Sequence, residues 1–118
     1  MPALSSFVIV VTQDAPTGAA LTSALSELSV HAFVRDVKTI PPAADVLSVV
    51  VLDARDRPVD ESVLAALLWR LGTKVVVWGD DETLRKMRRG YGRADHLFRC
   101  HTEVSGRELA HVCHMLLG

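Results

Sequence analysis

Short apolar runs, rich in valine, alternate along this chain with longer stretches whose apolar residues recur at helical spacing. Runs of this kind are typical of strands that are buried on both faces of a sheet. The second run is interrupted by His31, as is expected of a strand at a sheet edge. We expect five strands, at residues 7–11, 30–34, 46–52, 75–78 and 96–99.

The stretches between the strands carry the apolar stripes of amphipathic helices. The first helix is expected to begin near Asp14 and Pro16, which are residue types preferred at the N-cap and in the first turn. Between the second and third strands, residues 35–45 contain Pro41 and Pro42, which predict a single turn or an irregular loop instead of a helix. Strands that alternate with helices predict one α/β domain with a parallel sheet and helices on both of its faces.

Bulk composition limits the class of protein. A chain of 118 residues suits one domain with a real core. Apolar residues make up 49% and charged residues 23%, with a net charge of −1, so the whole chain shows no bias toward nucleic acid or membrane. No apolar stretch reaches the roughly 18 residues of a membrane span, and the first residues lack the features of a signal peptide. Two cysteines are too few for a disulfide framework, so we expect a reducing, cytoplasmic environment.

Two segments carry a resemblance to a known family. Asp53 directly follows the apolar run of residues 49–52, so it is expected at the carboxyl end of the third strand, where α/β domains bind their ligands. Residues 92–100 read Gly-Arg-Ala-Asp-His-Leu-Phe-Arg-Cys. With these segments in a five-strand alternation, the chain resembles, over essentially its whole length, the receiver domain of two-component response regulators. Residues 49–53 resemble the strand that ends in the family's phospho-acceptor aspartate, and residues 92–100 resemble its Gly-Ala-x-Asp-Tyr-Leu-x-Lys-Pro segment.

The resemblance implies a fold and a metal site. The fold is flavodoxin-like: a three-layer, doubly wound α/β domain with a five-stranded parallel sheet in the order 2-1-3-4-5, here with its second helix reduced or absent. The family holds Mg²⁺ with an acidic pair after the first strand, which falls on Gln13 and Asp14, or on Thr12 and Gln13 by a strict strand count. At most one carboxylate of that pair is kept, so Asp14 with Asp53 would bind Mg²⁺ weakly. We therefore expect no resident cofactor, with weak Mg²⁺ binding as the alternative.

Three further positions of the family's phosphorylation site are altered in this chain. Gly79 stands where the resemblance implies a Thr or Ser that binds a phosphoryl oxygen, Arg99 stands in place of the lysine, and His96 replaces the aromatic switch residue. Because glycine has no side-chain donor, the hydroxyl-driven switch is lost or different. Arginine is not equivalent to lysine, since its planar fork favours a bidentate grip on a carboxylate. We hypothesise that Arg99 reaches Asp53 or Asp14 and holds the pocket in one state without phosphate.

A cluster of cations is another informative feature. Six of the thirteen Lys and Arg residues lie close together in the chain: Arg85, Lys86, Arg88, Arg89, Arg93 and Arg99. They form either a solvated helix face, which offsets the acids at 80–82, or a contact for an acidic partner. In the receiver family this helix, the fifth strand and the last helix form the output or dimer surface, so the resemblance implies a protein partner or a homodimer there. His111 and His114 could share an exposed patch at an interface, and the slightly acidic charge of the domain disfavours nucleic acid.

Other kinds of site have weaker support in the sequence. Cys100, Cys113 and the neighbouring histidines suggest zinc, but helical phase puts Cys113 on the inner face of the last helix and turns His111 and His114 away from it. Cys113 is therefore better explained as a core residue. Trp78, at the end of the fourth strand, is expected to form a pocket wall. The chain has neither a glycine-rich phosphate loop after the first strand nor a nucleophile elbow, so enzymatic functions find little support.

These observations predict a non-enzymatic regulatory module: a divergent receiver domain that acts through its interaction surface without ordinary phosphorylation of Asp53. One alternative is a true receiver that still transfers a phosphoryl group to Asp53 with a degraded site. The other is a flavodoxin-like domain that binds a small anion with Thr12, Thr17 and Gly79, because a fold does not fix a function.

Overall fold

The computed structural model describes residues 7–34, 48–55, 61–68, 73–91 and 95–117. Strands and helices alternate through these residues, as the sequence predicts. The strands are β1 (Phe7–Val11), β2 (His31–Val34), β3 (Ser48–Asp53), β4 (Thr73–Gly79) and β5 (Leu97–His101). The helices are α1 (Ala15–Glu27), α2 (Glu61–Leu68), α3 (Asp81–Tyr91) and α4 (Gly106–Leu116). The predicted loop or turn at residues 35–45 lies outside the described residues.

The five described strands form one sheet, in which the pairings are parallel and the order is β2-β1-β3-β4-β5. This order confirms the predicted flavodoxin-like α/β fold. It also places β2 at a sheet edge, as the interruption at His31 predicts. At the carboxyl ends of the strands, the register sets Asp53 beside Trp78 and Trp78 beside Cys100. Side chains that follow neighbouring parallel strands therefore meet at this edge of the sheet.

Helices cover both faces of the sheet and create two hydrophobic clusters. Alternate residues of a strand point to opposite faces, so Val49 and Val51 belong to one cluster and Val50 and Leu52 to the other. The first cluster includes residues of α1 and α4, and the other includes residues of α2 and α3. Burial of both faces explains the valine-rich, non-alternating runs of the sequence. Among the described helices, none has the length and apolar character that a membrane span requires.

The strand ends on either side of α3 differ from the sequence expectation. β4 continues to Gly79 and β5 to His101, because the backbone keeps its parallel pairing past the last apolar residue of each run. Asp80 then caps α3: its Oδ1 accepts a hydrogen bond from the backbone N–H of Thr83 at 2.8 Å, which lowers the pKa of Asp80. The first turn of α3 thus begins directly after the end of β4.

The two cysteines are core residues. Cys113 is buried in α4 and Cys100 is buried in β5, in the same cluster. Burial raises the pKa of Cys100, and it raises the pKa of Cys113 to about 12, so both stay as inert thiols. His111 and His114 are exposed on α4, which confirms the prediction from helical phase that they diverge from Cys113.

Candidate functional site

Asp53 is the last residue of β3 and lies between the carboxyl ends of β1 and β4. Its side chain is only 7% exposed. Thr12, which directly follows β1, donates a hydrogen bond from Oγ1 to Asp53 Oδ2 at 2.7 Å. The candidate site is therefore built where the sequence predicts it, from residues that lie at the ends of two neighbouring strands.

Arg55 holds both carboxylate oxygens of Asp53. Its Nε donates to Oδ1 at 2.8 Å and its Nη2 donates to Oδ2 at 2.9 Å, and its backbone N–H also donates to Oδ1 at 3.2 Å. Two parallel bonds of this kind form the bidentate pair that guanidinium and carboxylate groups favour. Ala54, the residue between Asp53 and Arg55, is held in place because it is buried and its N–H donates to the Trp78 carbonyl at 2.8 Å. Local backbone structure thus presents Arg55 to Asp53.

Trp78 forms the wall against which Arg55 lies. The guanidinium carbon of Arg55 is 3.9 Å from the centre of the Trp78 ring. A cation over the face of an indole is attracted by the ring electrons. Because Trp78 is 3% exposed and lies opposite Asp53 in the register, it supports Arg55 from inside the sheet. Trp78 therefore lies beside Asp53 at the end of β4 and carries Arg55 on its ring.

The hydrogen-bond network continues to the start of α1. Arg55 Nη2 donates to Thr17 Oγ1 at 2.9 Å, and Thr17 Oγ1 in turn donates to Asp14 Oδ2. Thr12 Oγ1 accepts a hydrogen bond from the backbone N–H of Asp14 at 3.1 Å. Asp14 is the N-cap residue of α1 by its extended backbone, but its side chain makes no hydrogen bond to the helix backbone. Asp14 and Asp53 are thus connected through two threonines and a guanidinium.

The charges of Asp53 and Arg55 compensate each other. Burial raises the pKa of Asp53, but hydrogen bonds from the Arg55 and Thr12 side chains and the positive charge of Arg55 outweigh it, so the pKa lies below its usual value. Asp53 is therefore ionised at neutral pH and is paired with a cation of the same chain. A part-buried carboxylate of this kind is stable because its charge and its lone pairs are both satisfied.

The residues at this site do not fit a resident Mg²⁺ ion in the arrangement that the structure shows. Mg²⁺ needs oxygen ligands in near-octahedral geometry, and both oxygens of Asp53 are bound to the Arg55 guanidinium. Among the described residues there is no group of three or more His, Cys, Asp and Glu side chains that could hold a metal ion. In this arrangement both Asp53 oxygens are engaged by Arg55, which already supplies the positive charge, so binding of Mg²⁺ by Asp14 and Asp53 stays a prediction.

Arg99 does not make the contact that we hypothesised from the sequence. It is exposed on β5 and is paired with Val77 in the register, whereas Asp53 is aligned with Trp78. Because strand residues alternate between faces, the Arg99 side chain leaves the sheet on the face opposite that of Asp53. The bidentate grip on Asp53 exists, but Arg55 makes it.

His96 lies away from the carboxylate pair, just before the start of β5, whereas Gly79 directly follows Trp78 and a Cβ atom there would lie 3.6 Å from Ala54 Cβ, beside the pair. A Cβ atom on Gly79 would lie 3.0 Å from Thr83 Cγ2 and 3.1 Å from Thr83 Cβ, so the first turn of α3 packs closely on the end of β4. A hydroxyl-bearing side chain at position 79 would therefore require Thr83 to shift. His96 is exposed just before β5, and its carbonyl accepts a hydrogen bond from the Val75 N–H at 2.8 Å.

Arg55 is the functional residue that the sequence pattern alone leaves without a role. A usable signal is present in the chain, because an Asp side chain often accepts a hydrogen bond from the backbone N–H two residues on, as Asp53 does from Arg55. An Asp-x-Arg triplet at the end of a buried strand therefore places a guanidinium beside the carboxylate. Thr12 and Thr17, which the sequence suggests only as lining residues for an anion, lie in the pocket but bind Asp53, Asp14 and Arg55.

A separate feature, the cationic face, lies on α3 and consists of Arg85, Lys86, Arg88 and Arg89. All four are exposed, while Met87 faces the core. Lys86 lies 3.5 Å from Glu82 one turn earlier. Within the described part of the chain, Arg85, Arg88 and Arg89 form no ion pair. Arg93 lies outside the described residues.

The pocket and α3 are joined by His101. Trp78 Nε1 donates to the His101 carbonyl at 3.1 Å, and the His101 Nε2 lies 3.0 Å from Asp81 Oδ1 in the first turn of α3. His101 Nδ1 accepts a hydrogen bond from the backbone N–H of Glu103 at 3.1 Å. Since Nδ1 accepts, Nε2 is the nitrogen that carries the proton, on the side of the ring that faces Asp81.

No family model matches the chain, and no curated protein or solved structure is significantly similar to it. Its function is therefore inferred from the fold, the carboxylate pocket and the cationic face of α3.

Proposed function

We propose that this domain is a receiver-like regulatory module of the cytoplasm that binds a protein partner through α3, β5 and α4, without ordinary phosphorylation of Asp53. The observation that supports this function best is the bidentate contact between Arg55 and Asp53. Asp53 lies at the strand end at which a receiver would carry its acceptor carboxylate. The contact with Arg55, however, engages both of the oxygens that would have to attack a phosphoryl group.

Phosphoryl transfer depends mainly on positioning and on charge neutralisation at the transferred group. At this site the positive charge of Arg55 is already engaged by Asp53, and Gly79 offers no side-chain donor. For Asp53 to act as a nucleophile, one of its oxygens would have to leave the guanidinium, which costs the stabilisation of the pair. The pocket is thus better suited to a fixed structural state than to a cycle of phosphorylation.

The surface supports the interaction half of the proposal. Arg85, Arg88 and Arg89 are exposed along one helix, and β5 beside it is an edge strand. A row of cations attracts an acidic protein surface and speeds its association. On α4, His111 and His114 are also exposed, and Met115 is 76% exposed. An acidic protein, or an acidic surface of another copy of the chain, fits this combination.

The acceptor half is tested by intact mass after incubation with Mg²⁺ and acetyl phosphate, beside an Asp53→Asn control. We expect no adduct in either protein, because Arg55 engages both oxygens of the carboxylate and Gly79 offers no side-chain donor to the phosphoryl group. A one-phosphoryl adduct that is absent from the control would contradict the proposal and favour the phosphorylatable receiver.

The interaction half is tested by following amide NMR shifts during titration with a polyglutamate peptide. Shifts should map to α3 and should weaken in an Arg88→Glu variant, because the attraction is electrostatic. Arg107→Glu is the matched control for net charge, since Arg107 is an exposed cation on the α1 side of α4, 3.6 Å from Glu27, whereas α3 covers the other face of the sheet. Equal weakening by both variants would mean that α3 is not the contact. Tighter binding of a DNA duplex than of the peptide would instead favour a nucleic-acid partner.

A further inference from the structure

We propose that Trp78 and His101 are positioning residues that link the Asp53–Arg55 pair to the first turn of α3, so that this pair sets the placement of the cationic face. The biological meaning of this link rests on the proposed function, but the link itself is a property of the free domain. It connects the two features of the molecule that the sequence singles out separately.

The first step of the link is the stacking of Arg55 on Trp78. The guanidinium lies 3.9 Å from the ring centre and is held there by its bonds to Asp53 and Thr17. The indole is almost fully buried, so Arg55 covers the part of its face that turns toward the pocket. A substitution of Arg55 therefore removes this support from the indole and allows its tilt to change.

The next step is the attachment of Trp78 to the end of β5. The indole Nε1–H donates to the His101 carbonyl at 3.1 Å, and the Thr102 N–H donates to the Gly79 carbonyl at 3.1 Å. These two bonds tie the end of β5 and the residue that follows it to the end of β4. A change in the tilt of the indole therefore acts on the His101 backbone directly.

The last step carries the displacement into α3. The backbone N–H of Glu103 donates to Nδ1 of the His101 ring, and the other ring nitrogen, Nε2, lies 3.0 Å from Asp81 Oδ1. Thr83, in the same turn, lies next to Gly79, so the first turn of α3 adjoins the end of β4 as well as His101. Because packed interiors respond by discrete shifts and not by continuous deformation, a change at His101 moves the turn as a unit.

This route differs from the switch that the resemblance to receivers implies. That switch needs a hydroxyl at position 79 and an aromatic residue at position 96, and this chain has Gly79 and His96 there. The connection through the indole N–H and the His101 carbonyl joins the same two regions with other residues. It is therefore a property of this chain and is not carried over from the family.

The test is a double-mutant cycle in the free domain, with Arg55→Met and Asp81→Asn and equilibrium unfolding as the measurement. The two residues share no partner in the described contacts, so without a link their effects on the unfolding constant multiply. With the link, we expect the double variant to depart from that product by at least about twofold, the lower limit seen for coupled residues. Multiplicative effects would overturn the proposal.

Two controls separate the link from general destabilisation. Glu82→Gln removes a neighbouring acid of the same turn that pairs with Lys86 instead of His101, so it should show no coupling to Arg55→Met. Trp78→Phe keeps an aromatic ring under Arg55 but removes the Nε1–H, so the coupling between positions 55 and 81 should disappear in that background. Coupling that persists in Trp78→Phe would refute the role of the indole hydrogen bond.

A further measurement covers the case in which Arg55→Met does not fold. Arg55→Lys keeps the charge but loses the bidentate fork. It should shift the amide resonances of α3 when position 78 is the parental Trp, and it should leave them unchanged when Trp78→Phe is also present. Shifts of equal size in both backgrounds would overturn the proposal. None of these experiments uses a phosphodonor or a partner, so their failure is distinguishable from a failure of the proposed function.

Discussion

Two sets of arginines in this domain do opposite things. Arg55 has a side chain that is 25% exposed, and it donates to Asp53 and Thr17 while it stacks on Trp78. Arg85, Arg88 and Arg89 are exposed on α3 and form no ion pair within the described residues. The same type of side chain is thus an internal partner of a carboxylate at one position and a solvated surface charge at others, and its position on the backbone decides between the two roles.

The backbone explains this division. Arg55 follows a buried strand and faces the carboxylate two residues before it, so burial and charge pairing occur together. The α3 cations lie on the outer side of an amphipathic helix whose Met87 points inward, so water solvates them. An internal cation fixes the pocket, and the external cations remain available to a partner. Substitutions at both places, followed by measurements of stability and of its dependence on pH and salt, test whether the two sets of arginines differ in this way.

The largest expected effect is the loss of Arg55. We expect Arg55→Met to lower the free energy of unfolding by roughly 2–3 kcal/mol, somewhat less than for a fully buried pair, because water can reach part of the site. Arg55→Lys should be intermediate, since it keeps the charge and loses the fork. Urea unfolding measures both. Arg88→Met is the matched surface change and should stay within about 0.5 kcal/mol of the parent. Equal effects at positions 55 and 88 would erase the distinction between the two sets.

Asp53→Asn should have a smaller effect that depends on pH. At neutral pH we expect the free energy of unfolding to fall by roughly 1–2 kcal/mol. Arg55 loses its charged partner, but it still has neutral hydrogen-bond acceptors beside it and is partly hydrated. The folded pKa of Asp53 lies below the ordinary value of 3.8, so its contribution is complete above that pH and is lost as pH falls through the folded pKa. The stability difference between parent and variant should therefore shrink below pH 3.8. In an Arg55→Met background this pH dependence should weaken, and an unchanged profile there would mean that Arg55 does not depress the pKa.

Much of the fold was predictable from the chain, but Arg99, the cation that we expected at Asp53, was the wrong one. Valine-rich runs specify buried strands, and the alternation with helices specifies a parallel sheet, so the position of Asp53 at a strand end follows. Which arginine reaches Asp53 depends on register, and a shift of one residue exchanges the two faces of a strand. Arg99 is aligned with Val77 and thus falls on the wrong face, whereas Arg55 needs only the short local turn after β3. Element order can be read from periodicity, but a contact between side chains of different strands, such as Arg99 with Asp53, can be judged only from the register.

The smallest expected effect is at the surface ion pair of α3, and its dependence on salt should differ from that of the Asp53–Arg55 pair. Glu82 and Lys86 are one helical turn apart, with the acid nearer the N-terminus, which is the favourable orientation. Their side chains are mostly exposed, so Glu82→Gln should cost only about 0.3–0.5 kcal/mol at low salt. In 1 M salt the screening length falls to about 3 Å, and this cost should disappear. The cost of Arg55→Met should persist in the same salt, because a carboxylate that is 7% exposed is screened much less. If salt removed both costs alike, the Arg55–Asp53 pair would be as solvent-screened as the helix surface, and the pocket could not serve as a fixed internal charge pair.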